Sequence, residues 1–400
     1  MRAAKTILLA WLIAGCHGAT IQEAGTDGGT AGRGGGSGAA GTGSGAAGTG
    51  TGGTNTGGGG AVGAGGAGGA CGRCETHCTN GVCDVAQLRA GGTSSQVDYM
   101  AATLNGDRLY FATTYGGIGS GLEVKSMPKQ GGQEQSLFTQ QVCAPQSGAA
   151  PCELTVVVDD SDVFFTGLNP VSSTAVLAVP KGGGDVRTVC TTGNSTPGQL
   201  ALEGSNVYWY RGANGIERCP KAGGASTPAA SATGNILRTA SRPGGVVWAA
   251  QDTGVVTLLD TGTLTPSVLG VTVNPQTNTF YPGVCDVVDD GTLAYWVLCS
   301  WPHIVYVEGT GNNPSELGRA LAGTSSGSID DYGSIGIDGN YVYFTEVGFL
   351  NRVSKTGGPV EPRGAVVDQN RGTIKARIIG VDEKYVYLHR RGGYLYRVVK

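Results

Sequence analysis

Gly336-Ile337-Asp338-Gly339-Asn340-Tyr341-Val342-Tyr343-Phe344-Thr345, continued by Leu350-Asn351-Arg352-Val353-Ser354-Lys355-Thr356-Gly357-Gly358, is the unit that decides the fold. An apolar run ends at an acid, a turn follows, and an aromatic strand comes next. After a loop, a third strand closes on Lys-x-Gly-Gly. The aromatic strand recurs at Tyr110-Phe111, Phe164-Phe165, Tyr208-Trp209, Val247-Trp248, Tyr295-Trp296, Tyr343-Phe344 and Tyr387-Leu388, about 40 to 54 residues apart. The closure recurs at Lys129-Gln130-Gly131-Gly132, Lys181-Gly182-Gly183-Gly184 and Lys221-Ala222-Gly223-Gly224. It is degenerate at Asp260-Thr261-Gly262 and Glu308-Gly309-Thr310-Gly311.

A period of this length with four short strands per unit predicts an all-β, seven-bladed β-propeller. The last repeat stops at Tyr394-Leu395-Tyr396-Arg397-Val398-Val399-Lys400, one strand short, and Asp84-Val85-Ala86-Gln87-Leu88-Arg89 reads as the missing strand. Residues 84–400 are therefore expected to form a propeller closed three-plus-one, with no open edge between first and last blades. The acids before the turns, Asp159, Glu203, Asp289, Asp338 and Asp382, are expected to hydrogen-bond their own turn backbone rather than hold a metal.

The N-terminal segment is an address rather than a fold. Arg2 and Lys5 precede an apolar run, Ile7–Ile13, too short for the roughly 20 residues a membrane span needs. The segment ends Leu12-Ile13-Ala14-Gly15-Cys16, which resembles the lipobox of bacterial lipoproteins. That resemblance implies a signal peptide over 1–15 and a lipidated (palmitate-bearing) Cys16. His17 stands where an aspartate would imply inner-membrane retention, so an outer-membrane or cell-surface location is expected. An ordinary secretory signal with a chance cysteine is the alternative. Residues 16–70 form a linker, about half glycine over 24–70, that cannot bury enough apolar surface to order itself. As a coil it would span roughly 35–40 Å.

With Cys16 assigned to lipid, ten cysteines remain, an even set in an exported chain. Cys71, Cys74, Cys78 and Cys83 cluster in a small knot over 71–83. Two disulfides are expected there, Cys71–Cys78 with Cys74–Cys83 among the three possible pairings; a zinc site using His77 is the alternative. Cys143 with Cys152, Cys190 with Cys219, and Cys285 with Cys299 form local structural pairs.

The repeats, apolar-Asp-x₃-Val-Tyr-Trp/Phe followed by Pro-Lys-x-Gly-Gly, resemble bacterial propellers related to the YWTD repeats of lipoprotein receptors. The resemblance spans about residues 84–400 and implies a protein-binding or scaffold role. Tyr-Trp-Thr-Asp itself is absent, Tyr208-Trp209 being followed by Tyr210-Arg211.

A formal net charge of −3 and the lack of any Lys/Arg stripe exclude nucleic acid as an expected partner. No Gly-x-Ser-x-Gly elbow, His-Glu-x-x-His helix or phosphate loop is present, and no cofactor motif is found. The expected function is a membrane-tethered module binding an envelope or extracellular protein or glycan. The alternatives are an exported polysaccharide lyase or hydrolase and a self-assembling spacer. Loops between second and third strands carry the candidate ligand-facing residues Tyr115, Tyr210, Arg211, Trp301, His303, His389, Arg390 and Arg391, with Glu346 and Phe349 beside them and Tyr281 and Tyr332 in blade connections.

Overall fold

The computed structural model describes residues 78–79, 82–89, 100–114, 121–140, 154–168, 174–193, 197–212, 215–232, 234, 236–272, 283–299, 304–309, 313–319, 333–346, 349–365, 376–390 and 393–400. Lipidation at Cys16, the tether, and the pair Cys143–Cys152 lie outside these residues.

The chain is all-β. Blade 1 is β4(Met100–Asn105), β5(Arg108–Thr114), β6(Leu122–Pro128) and β7(Gln135–Gln140). Blade 2 is β8(Val156–Val158) to β11(Arg187–Gly193), and blade 3 is β12(Leu200–Glu203) to β15(Thr227–Ala230). Blade 4 is β16(Ile236–Arg242) to β19(Thr265–Val271); blade 5 is β20(Val284–Asp289) to β23(Ser315–Arg319). Blade 6 is β24(Ile335–Ile337) to β27(Glu361–Ala365). Blade 7 joins β28(Ala376–Val381), β29(Tyr385–Arg390) and β30(Tyr394–Val399) to β3(Ala86–Arg89), with Gln87 opposite Tyr396. Each blade is antiparallel, and the first strands contact one another in succession, β28 meeting β4 to close the ring. The three-plus-one closure predicted from the sequence is the observed one.

The aromatic pair explains the period. Neighbouring residues of a strand point to opposite faces, so each pair serves two blade interfaces at once. Tyr110 packs with blade 2, Phe111 with blade 7; Phe164 packs with blade 3, Phe165 with blade 1. The rule repeats around the ring, Tyr343 toward blade 7 and Phe344 toward blade 5. Seven apolar clusters thus fill seven interfaces. Trp209, Trp296 and Phe344 are fully buried, each such side chain contributing about 1.5–3 kcal/mol.

The turn face carries a second repeat-borne device. Asp338 Oδ1 accepts the Asn340 and Tyr341 N–H groups, and Asp159, Asp290 and Asp382 do the same in their turns. In blade 5 Asp289 accepts the Gly291 N–H of its own turn at 2.8 Å and also pairs with Arg242, while Asp290 takes the two-donor role by accepting from Thr292 and Leu293. The other carboxylate oxygen binds the lysine that follows the third strand of the next blade, the lysine of a Lys-x-Gly-Gly turn in blades 1, 3 and 6 and Lys400 in blade 7. Lys400 meets Asp338 at 2.7 Å, Lys355 meets Asp290 at 2.7 Å, and Lys129 meets Asp382 at 2.7 Å across the closure. Lys221 meets Asp159 at 3.3 Å and Lys181 meets Asn105 at 2.8 Å. Between blades 4 and 5 the polarity is reversed, Arg242 standing at the acid's position and Glu308 at the lysine's. Between blades 3 and 4 Glu203 accepts the Gly244 N–H instead, at 2.7 Å. The paired glycines are required because both lie at positive φ, +83° at Gly357 and +132° at Gly358.

Cys190 and Cys219 form a disulfide joining β11 of blade 2 to β14(Ile216–Pro220) of blade 3. Cys285 and Cys299 close a second within blade 5. The hairpin β1(Cys78–Thr79)–β2(Val82–Asp84) extends blade 6, β2 running parallel to β27 with Cys83 opposite Gly364. Its register sets Cys78 opposite Cys83; the side chains of the four-cysteine cluster lie outside the described residues.

Candidate functional site

The two faces of the ring differ in chemistry. On the turn face, acids and lysines neutralise one another in the latches. On the opposite face, where first strands begin and second strands end, blades 3 to 7 bring buried polar groups to the mouth of the ring.

Arg238 of β16 and Asp286 of β20 approach to 3.7 Å. Asp286 Oδ2 accepts the Ser334 hydroxyl at 2.7 Å and the Ile335 N–H at 3.2 Å. Ser334 Oγ in turn accepts the Ile378 N–H, tying blades 5, 6 and 7 together. Burial lifts the Asp286 carboxyl above the ordinary carboxylate range despite Arg238, Ser334 and two backbone donors. At the end of β25(Tyr341–Glu346), burial likewise raises Glu346, against one hydrogen bond from Asn351 Nδ2 at 3.2 Å. At the end of β29, burial and the Arg238 charge push the His389 imidazole down to about 4, so it is neutral at physiological pH.

Three buried atoms of this rim have no protein partner: Glu346 Oε1, His389 Nδ1 and Gln199 Oε1. An unmet buried polar atom costs about 1–3 kcal/mol, so a partner that satisfies it gains that much in binding. Ser334 Oγ donates to Asp286 rather than to a histidine, so no Ser–His relay forms here. Among the described residues no cluster of three or more His, Cys, Asp or Glu is placed to hold a metal.

The candidate residues separate into three groups. Tyr115, Trp301, His303, Arg391, Tyr281 and Tyr332 lie outside the described residues. Tyr210 and Arg211 are engaged within the fold, the Tyr210 hydroxyl donating to Gly234 O at 2.8 Å and Arg211 Nη1 pairing with the buried Glu217. Arg390 stacks over Tyr394 at 5.5 Å, Phe349 pairs with Glu346 across β25 and β26(Phe349–Ser354), and of the candidates only His389 and Glu346 belong to the rim. Arg238, Asp286, Ser334 and Gln199 were not among the sequence candidates. The signal for Arg238 and Asp286 was a polar residue within a first strand, as in Val284-Cys285-Asp286-Val287, whereas Ser334 and Gln199 immediately precede theirs.

No protein-family model and no curated protein matches the chain. Solved structures do match, at identities that show the fold alone. YCF48 bound to D1 peptide superposes with a TM-score of 0.50 at 12% identity, covering 79% of this chain and 95% of that one. A chain of the COPII outer coat vertex on membranes gives 0.54 at 8% identity, covering 76% and 84%. The chain is thus a seven-bladed β-propeller, a fold suited to a binding or scaffold module.

Proposed function

We propose that this protein is a lipid-tethered envelope lipoprotein whose propeller binds a protein or glycan partner at the first-strand mouth. The observation that carries the reading is the rim of buried, partnerless polar atoms supplied by Gln199, Glu346 and His389 beside the Arg238–Asp286 pair. Such groups fix the orientation of a ligand while apolar contacts supply area. The YCF48 structure, captured with a peptide, supports protein partnering by this fold in general.

The test is affinity capture from envelope extract and medium, using residues 71–400 and a folded Glu346→Gln/His389→Ala variant. A salt-resistant partner retained by the parent and lost by the variant supports the reading. Equal capture by both sinks the mouth as the site. A captured polysaccharide that shortens on incubation would instead establish the exported enzyme. Replacing Cys16 by Ser in the full chain should abolish palmitate labelling and release the protein from membranes.

A further inference from the structure

At the mouth the first strands share one level, the residue opposite the one that follows each blade's aromatic pair. Ala101 stands there opposite Ala112 in blade 1, Asp286 opposite Val297 in blade 5, and Arg377 opposite His389 in blade 7. Thr155 and Ser334 hold the same place in blades 2 and 6, their carbonyls accepting the Thr166 and Thr345 N–H groups. The next residue along each first strand falls in a rung without hydrogen bonds to the second strand, so its N–H turns toward the central channel. In three blades the preceding blade caps that N–H from the shared level. Thr155 Oγ1 accepts the Leu200 N–H at 3.1 Å, Asp286 Oδ2 the Ile335 N–H at 3.2 Å, and Ser334 Oγ the Ile378 N–H at 3.1 Å.

Blades 7, 1 and 2 depart from this rule. The capping place before blade 1 holds Arg377, and the one before blade 2 holds Ala101. A guanidinium only donates and a methyl group does neither, so neither can cap the channel-facing N–H groups of Ala102 and Val156, which stand opposite Phe111 and Phe165. Arg377 is turned toward them. Its neighbour Ile378 packs on blade 6, where a Cβ on Gly336 would lie 2.6 Å from Ile378 Cγ2, and strand alternation then aims Arg377 at blade 1. Three donors thus meet at a level where the other blades set a donor against an acceptor. The same level carries two orphaned buried atoms, Gln199 Oε1 in blade 3 and Nδ1 of the neutral His389 in blade 7.

We propose that the mouth takes an acidic sugar unit of a glycan, whose carboxylate accepts from the Arg377 guanidinium and from the Ala102 and Val156 N–H groups. This rests on the reading of the mouth as the binding site and names its ligand. The chain contains its own template for the contact: the Asp286 carboxylate caps the Ile335 N–H while standing 3.7 Å from the Arg238 guanidinium. Hydrogen bonds between a guanidinium and a carboxylate are among the stronger ones available. The orphaned atoms favour a sugar over a peptide end. Gln199 Oε1 and His389 Nδ1 sit in different blades and call for donors in different directions. A pyranose presents hydroxyls around its edge, whereas a peptide C-terminus brings one N–H beside its carboxylate.

The probe is a fluorescein-labelled β-1,4-linked glucuronate tetramer, with its methyl ester, titrated by anisotropy against the full chain. The acid should bind at least about tenfold more tightly than the ester, as a charge-assisted contact implies. Arg377→Ser installs the residue that caps the N–H in blade 6 and should bring the acid to the level of the ester. Ala101→Asp installs the residue of blade 5 and should do the same by repulsion, so the test does not hang on one variant folding. Gln199→Leu should weaken acid and ester alike. Equal affinity for acid and ester, no saturable binding at millimolar sugar, or an undiminished preference for the acid in a folded Arg377→Ser variant would overturn the proposal. So would tighter binding of an Ala-Ala-Ala-Ala peptide with a free C-terminus than of the tetramer. Loss of a captured protein partner by Glu346→Gln/His389→Ala, with no binding of the tetramer, would sink the acidic sugar and leave the mouth standing.

Discussion

Asp338→Asn tests whether the latch repeated around the ring stabilises it. Asn keeps the oxygen that accepts the Asn340 and Tyr341 N–H groups but replaces Oδ2, which accepts Lys400 at 2.7 Å and the Tyr343 hydroxyl at 2.9 Å, with an N–H₂ donor. The ion pair is partly exposed and solvent-screened, worth about 1 kcal/mol. Setting a donor against the hydroxyl of buried Tyr343 adds about 1–2 kcal/mol. The sum is about 2–3 kcal/mol for Asp338→Asn against about 1 for Lys400→Met, read from urea midpoints at fixed m. The pH dependence has a definite sign. Burial alone would raise the Asp338 carboxyl, but Lys400, two backbone donors and Tyr343 outweigh it and hold it at about 2, below the ordinary 3.8. A depressed carboxylate stabilises above its unfolded pKa and loses that contribution as pH falls through the folded one. The gap between parent and Asp338→Asn should therefore be full above about pH 4 and shrink toward pH 2. A gap that stays constant over that window, or a Lys400→Met variant as stable as the parent, would refute the latch as an electrostatic device.

Cys190→Ser/Cys219→Ser removes a link of sequence separation 29 between blades 2 and 3, and should lower stability by about 3–4 kcal/mol in oxidising buffer. Reductant should then shift the midpoint of the parent more than that of the variant. His389 is held down to about 4 against an ordinary 6.5, so parent stability should fall as pH drops from about 6.5 to 4. His389→Gln should flatten that stretch of the pH–stability curve, and an unchanged slope would place the imidazole in water.

The ring was readable because one physical demand, an aromatic strand buried on both faces, recurs seven times. The latch was not, although both halves lie in the opening unit. Asp338 and Lys355 are 17 positions apart in sequence, yet Asp338 bonds Lys400 and Lys355 bonds Asp290, 62 and 65 residues away. Within one chain each reads as a local turn residue. The rim was legible only in part. Tyr210 and Arg211 have the composition of a binding loop, but a hydroxyl within reach of Gly234 O and a guanidinium within reach of a buried Glu217 find partners inside the fold. Arg238 and Asp286 sit within strands, where a single sequence gives no reason to look for a site.

The hairpin on blade 6 also sets how the ring bears load. Coming from the N-terminal side, the chain first threads β1 and β2 along the outer edge of blade 6, and only then supplies β3, the strand that closes blade 7. A pull transmitted from upstream of residue 78 is taken up by β2 against β27 before it reaches β3. The pairing of β2 with β27 is short, Cys83 with Gly364 and Asp84 with Ala365, and can peel and re-form while the seven-blade circle stays shut. It is a mechanical fuse upstream of the clasp.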